Sequence, residues 1–161
     1  MKILIIGIVA SGKTTLATKL SKELNIKSYE IDSIVHDDVK KEKRSINRQI
    51  NIINNIDKEK DWIIEGTLRK HLYFLLEKAD KIIYIDIPLK ERKKRIIKRY
   101  IKQKLGIEKS NYKPTLKMLF NMYKWTNNYE KNKYNFEQKL INYKSKVIIL
   151  NDTKDLENYV I

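Results

Sequence analysis

Residues 7–14 read Gly-Ile-Val-Ala-Ser-Gly-Lys-Thr, the pattern G-x-x-x-x-G-K-[ST]. No other feature narrows the possible folds as far, because this pattern carries meaning only between a strand and a helix. Both flanks fit. Ile3-Leu4-Ile5-Ile6 is a short apolar run of the kind buried on both faces of a parallel sheet. Leu16, Leu20 and Leu24 recur every four residues, as one helix face does. Gly7 and Gly12, two of the 4 glycines in the chain, permit the turn and the close backbone approach that a phosphate requires. The N–H groups of residues 10–14 would then form an anion nest at the helix start. Gly7, Ala10, Ser11 and Gly12 are expected to wrap the phosphates of ATP. Lys13 would neutralise the β- and γ-phosphates, Thr14 would place its hydroxyl on Mg²⁺, and Thr15 would touch the α-phosphate.

The rest of the chain alternates short apolar strands with helices. Strands are expected at 1–6, 27–32, 61–65, 81–86 and 147–150. Helices are expected to about residue 24, over Ile46, Ile50 and Ile53, around Leu72, Leu75 and Leu76, from about Leu89 to Lys104, from Thr115 to about Tyr143, and from near Thr153. Residues 36–45 and 105–114 read as loops. This alternation predicts a single α/β domain over residues 1–161, with a parallel sheet covered on both faces. At 161 residues the chain can bury a core without staples. It has 0 Cys, which excludes disulfides, thiolate metal sites and a cysteine nucleophile, and its 2 His are too few for most histidine-built metal centres.

The longest apolar run, residues 3–10, is far short of the roughly 20 residues needed to span a bilayer. No membrane association is expected. The start of the chain is better read as the strand before the loop than as a leader peptide, so a cytoplasmic location is expected.

The net charge is +15, and it is uneven: residues 90–146 alone carry a net +14. Such a block attracts phosphates, on nucleotides or nucleic acid. The many lysines are also what solvated faces carry. Arginine is scarcer and confined to residues 44–99, and its planar fork suits bidentate phosphate contacts. Arg92, Arg95 and Arg99 are spaced for one helix face, with Arg92 expected toward solvent. Arg44 and Arg48 are placed either to contact an acceptor or to pair with Asp37 and Asp38. Asp86 is expected to cap the turn before Pro88, and His36 and His71 to be surface or packing residues. Residues 112–143 mix aromatics with lysines, which could bind single-stranded nucleic acid. Leu116, Leu119, Phe120 and Tyr123 instead recur at helical spacing, so packing on the sheet is the expected role, and nucleic acid is not the favoured partner.

Beyond the loop, the chain has Asp32-Ser33-Ile34, Arg44-Ser45, Trp62-Ile63-Ile64-Glu65-Gly66-Thr67-Leu68-Arg69 and Val147-Ile148-Ile149-Leu150 in order. In this it resembles the nucleoside- and nucleotide-kinase branch of P-loop proteins, with the adenylate- and shikimate-kinase-like fold, and more closely the DNA topology modulation protein group. The resemblance implies a three-layer P-loop NTPase fold with a five-stranded parallel sheet in the order 2-3-1-4-5 and a helical lid insert at roughly 100–145. It implies ATP-dependent phosphoryl transfer to a small acceptor with Mg²⁺. Glu65 would help hold the Mg²⁺ shell. Arg69, with Arg44, would grip the acceptor. Arg95 and Arg99 match lid-entry arginines, and Asn151-Asp152-Thr153 would line the adenine edge. Asp32 would bind, or deprotonate, the acceptor hydroxyl. Glu65-Gly66-Thr67-Leu68-Arg69 departs from the D-G-F-P-R of nucleotide kinases: Glu replaces Asp and the Phe-Pro pair is lost.

Overall fold

The structure, a computed structural model, describes residues 1–37, 40, 42–108 and 113–159. Strands β1 (Lys2–Gly7), β2 (Ser28–Glu30), β3 (Trp62–Gly66), β4 (Lys81–Ile85) and β5 (Val147–Leu150) form one sheet. All neighbours are parallel, in the order β2-β3-β1-β4-β5. This is the 2-3-1-4-5 order expected. His36–Asp37 and Glu42–Lys43 add a separate two-residue antiparallel ladder within the 36–45 loop.

Side chains alternate across a strand, and the core divides accordingly. Leu4, Ile6, Ile64, Ile82 and Tyr84 face one side. They pack there against α2 (Ile31–Val35), α3 (Ile46–Asp57), α4 (Leu75–Lys78) and α6 (Leu116–Leu140). Ile3, Ile5, Ile63, Ile83 and Ile85 face the other side and bury Leu16, Ala17 and Leu20 of α1 (Lys13–Leu24). Helix α5 (Leu89–Lys104) packs on α6, and α7 (Thr153–Asn158) follows β5. Ser45 starts α3 by accepting from the Arg48 N–H, and Thr115 starts α6 by accepting from the Met118 N–H.

Four expectations need correction. Strand β2 stops at Glu30, so Asp32 sits in the first turn of α2 and not at a strand end. Ile31, Ile34 and Val35 explain this: their i, i+3, i+4 spacing lets a helix bury all three. The helix expected around Leu72–Leu76 is a 3-10 turn at Lys70–Leu72 followed by α4. Helix α6 packs with a different face from the one expected. Met122, Thr126, Tyr129, Phe136 and Leu140 turn inward, whereas Leu116 and Phe120 are exposed. Arg92 is buried, not solvent-facing. Asp86 is held by an ion pair with Lys133, and His71 meets Gln49 Oε1 at 2.9 Å. Asp38 and residues 109–112, which include Tyr112 and part of the expected lid, lie outside the described residues. Among the described residues no helix is long and apolar enough to cross a membrane.

At the end of the sheet away from the phosphate loop, Asp57 accepts from Lys2 Nζ at 2.7 Å, Lys78 Nζ at 2.6 Å and the Trp62 indole N–H at 3.1 Å. Partial burial alone would raise its carboxyl. The three donors outweigh that and hold it well below the usual carboxylate range. The stability this supplies is present above the unfolded carboxylate pKa, about 3.9. It fades as pH falls below that value toward the depressed native one. Asp57→Asn is therefore expected to cost about 1.5–3 kcal/mol near pH 7. Urea unfolding should show the gap to wild type narrowing below about pH 4.

Candidate phosphate-transfer site

Strand β1 ends at Gly7, in the centre of the sheet, so the loop that follows opens at the carboxyl ends of the strands. That is where parallel α/β sheets bind ligands. Ala10 (φ 61°) and Gly12 (φ 104°) take left-handed conformations and turn the chain into α1. A Cβ on Gly7 would lie 2.7 Å from the Ile85 carbonyl oxygen and 2.8 Å from Ser11 Oγ, so only glycine fits. Among the described residues no side chain caps α1, which leaves its first N–H groups facing the loop. Lys13 Nζ arches back and donates to the Ile8 carbonyl at 2.9 Å. Ser11 is fully buried, and its Oγ has no hydrogen-bond partner among the described residues. Thr67, just past β3, donates to the Gly7 carbonyl at 3.1 Å and ties that strand end to the loop.

Glu65 crosses from the neighbouring strand. It is 4% exposed and accepts from the Thr14 hydroxyl at 2.6 Å. Burial pushes its carboxyl up. The Lys13 charge and the Thr14 hydrogen bond pull it back down, and Glu30 and Asp32 add to the upward push. Desolvation likewise lowers the Lys13 amine, with Glu65 and Asp32 acting against that and Arg99 adding to it. Lys13, Glu65, Asp32, Glu30 and Arg99 thus share one field. Gly66 lets Glu65 sit here, since a Cβ at 66 would lie 2.6 Å from Ile31 Cβ. The Thr14 hydroxyl and Glu65 carboxylate are hard oxygen donors suited to Mg²⁺. That ion commonly takes one or two protein oxygens and completes its shell with phosphate and water. Among the described residues no group of three or more His, Asp or Glu offers an all-protein metal cage.

The arginines divide by role. Arg95 donates to the Ser11 carbonyl at 3.1 Å, directly on the phosphate loop. Arg99 Nε lies 3.1 Å from Glu108. Arg69 reaches Asp32 at 3.5 Å, which brings two expected acceptor residues together. Arg44 is occupied otherwise. Its guanidinium donates to the carbonyls of Ser33 (2.6 Å), Ile34 (3.2 Å) and His36 and pairs with Asp37 at 3.2 Å, so it closes the end of α2. Thr15 is exposed in the first turn of α1. Asn151 and Asp152 follow β5 and are exposed. The Asp152 carboxylate caps α7 by accepting from the Asp155 N–H at 2.8 Å, and the Asp155 carboxylate accepts from the Asn151 and Asp152 N–H groups. Two further residues bear on the site, Thr67 on the loop and Arg92 on the helix that carries Arg95. Thr67 stands in the Glu65–Arg69 run, but nothing in that pattern marks it as the residue that ties the strand to the loop. Arg92 does share a face with Ile96 and Gln103, at spacings of four and seven, which is the one signal that it turns inward.

The sequence matches the family described as AAA domain over residues 3–113. A curated relative, the shikimate kinase of Clostridium botulinum (strain Loch Maree / Type A3), is 30% identical over 112 residues, or 60% of this chain. The match spans 65% of that relative's own length. Two solved structures are similar in fold. The shikimate kinase of Bacteroides thetaiotaomicron has a TM-score of 0.58 at 14% identity, covering 96% of this chain and 91% of its own. An uncharacterized protein of Eubacterium ventriosum ATCC 27560 has a TM-score of 0.50 at 23% identity, covering 84% and 77%. Their sheet-and-helix architecture is that of a P-loop kinase fold.

Proposed function

The chain belongs to the AAA domain family, and on that premise we propose that it is a P-loop phosphotransferase moving the γ-phosphoryl group of ATP to a small acceptor. The observation that carries this reading is the Thr14 hydroxyl on the Glu65 carboxylate at 2.6 Å, beside Lys13 and at the mouth of the loop. In phosphoryl transfer a protein mostly positions groups and neutralises charge. Gly7, Ala10, Ser11 and Gly12 shape the nest whose N–H groups hold phosphate oxygens. Lys13 leaves the Ile8 carbonyl for the β- and γ-phosphates. Thr14 and Glu65 would hold Mg²⁺, which supplies charge neutralisation across the same phosphates. Arg95 and Arg99 stand on α5 to meet charge on the transferred group, and Asn151 and Asp152 stand near the expected adenine edge. Glu108 is within the segment joining α5 to α6. The reading places the protein where Mg-ATP is abundant, the cytoplasm.

On the acceptor side, Asp32 is oriented by Arg69 and orders an acceptor hydroxyl. Arg44 instead serves the fold. Hydroxyl compounds of the shikimate class lead the acceptor panel because of the relative's name. Nucleosides, nucleoside monophosphates and sugar acids complete it. ADP formation from Mg-ATP should depend on one acceptor class, and Asp32→Asn should raise the acceptor KM at least about tenfold while changing the ATP KM under twofold, as removal of one acceptor hydrogen bond to a charged group requires. Equal effects on both constants would remove Asp32 from the acceptor side.

A second reading is an ATP-binding protein whose output is nucleic-acid binding through the basic 90–146 block. The exposed face of α6 favours it: Lys117, Lys124 and Lys131 recur every seven residues there beside Phe120, which is 69% exposed. This reading predicts steep loss of DNA affinity with salt, whereas the kinase reading predicts weak binding only.

A further inference from the structure

Helix α5 carries Arg95 and Arg99, yet its own hold on the fold is unusual. Of its 16 residues only Arg92, Ile96 and Gln103 are buried, and two of those are polar. Its placement therefore depends on directional hydrogen bonds more than on apolar packing. The chief one is a buried guanidinium. Arg92 is 1% exposed and donates to the Thr126 hydroxyl at 3.0 Å and to the Glu130 carboxylate, both on α6. Its plane lies over the Tyr129 ring, 5.6 Å from the centroid. Tyr129 in turn meets the hydroxyl of Tyr84 on β4 at 2.7 Å. One α-turn further along α6, Lys133 pairs with Asp86 at the end of the same strand. One turn further along α5, Arg95 donates to the Ser11 carbonyl of the phosphate loop. A continuous path of contacts thus runs from α6 and β4 through Arg92 to the arginine on the loop.

We propose that Arg92 is a positioning residue: anchored on Thr126 and Glu130, it fixes the rotation of α5 and so holds Arg95 where it meets the transferred phosphoryl group. A guanidinium suits this task because its fork is planar and fixed, and two of its nitrogens are bound to one neighbouring helix. An apolar side chain of the same volume would fill the space but leave the helix free to turn about its axis. This role rests on the phosphotransferase reading above and extends it to a residue that touches neither nucleotide nor acceptor.

The test is a double-mutant cycle on transfer from Mg-ATP, read alongside ATP binding by calorimetry. Arg92→Met is expected to lower kcat about tenfold or more while changing the ATP Kd less than threefold. In an Arg95→Ala background the same substitution should cost less than twofold, because the group it positions is gone. Arg92→Lys, which keeps charge but not the fork, should not restore the rate. An equal loss of kcat in both backgrounds, or a lower melting temperature with unchanged kcat, would overturn the assignment. Should Arg92→Met fail to fold, Thr126→Val with Glu130→Gln decides by the same non-additivity with Arg95→Ala. A wild-type protein that binds Mg-ATP but transfers to no acceptor contradicts the phosphotransferase reading, and this assignment falls with it. Active wild-type protein with an additive cycle contradicts the positioning role alone.

Discussion

Lys13→Met is expected to lower phosphoryl transfer by about 10²–10³-fold, the usual loss on removing one preorganised group that meets transition-state charge. The fold should survive it. Desolvation already pulls the Lys13 amine below the usual lysine range, so folding around the charged form costs free energy at neutral pH. Methionine keeps an unbranched side chain one heavy atom shorter and removes that cost, at the loss of one hydrogen bond to the Ile8 carbonyl. The melting temperature should therefore hold or rise slightly, while the stabilisation that Mg-ATP gives the wild type shrinks. Thermal unfolding with and without Mg-ATP, next to a steady-state rate, separates these. A variant that transfers phosphate at the wild-type rate would remove Lys13 from the chemistry.

Gly7→Ala should act on both stability and binding. Its Cβ would press on the Ile85 carbonyl and on Ser11 Oγ at distances that real contacts do not reach. The carbonyl is main chain, and Gly7 and Ile85 are register partners of adjacent central strands, so relief requires β1 and β4 to part at their ends. The alternative relief displaces Ser11 and with it the loop. Overpacking of this kind costs about 1–3 kcal/mol, or about 2–12 °C in melting temperature for a chain of this size. ATP affinity should fall by at least tenfold, because the same shift disturbs the N–H groups that face the phosphates. A melting temperature within about 1 °C of wild type together with unchanged ATP binding would show that the loop accommodates the methyl group.

What could be read from the amino-acid sequence was what local pattern dictates. Gly7 to Thr14 encode their turn in eight consecutive residues, and the three central strands, β1, β3 and β4, carry buried isoleucines on both faces, as a doubly covered sheet requires. The sheet order is not local. It came from the resemblance carried by Trp62 to Gly66 and the residues around them, and the parallel registers agree with it. The misread residues are those whose environment is set by distant partners. Arg92 sits in a stretch of bases where only its spacing from Ile96 and Gln103 marks it, and Thr126 and Glu130, which bury it, lie 34 and 38 residues away. On α6 two apolar stripes compete. Leu116 and Phe120 belong to the stripe that faces solvent, and Met122, Tyr129, Phe136 and Leu140 to the one that meets the sheet. Arg44 had two readings open, and three backbone carbonyls at the end of α2 claim it for the fold. Asp32 kept its place near the site while its element changed, because Ile31, Ile34 and Val35 bury better on a short helix.

The fate of the γ-phosphate tests the central claim most directly. Wild-type protein is incubated with Mg-ATP labelled at the γ-position, with the acceptor panel and without it, and the label is followed to acceptor or to water. Label bound covalently to one acceptor class, absent with Lys13→Met and little lost as inorganic phosphate, is the predicted result. Release of the label as inorganic phosphate at a rate that no acceptor changes would contradict it and make the protein a nucleotide hydrolase.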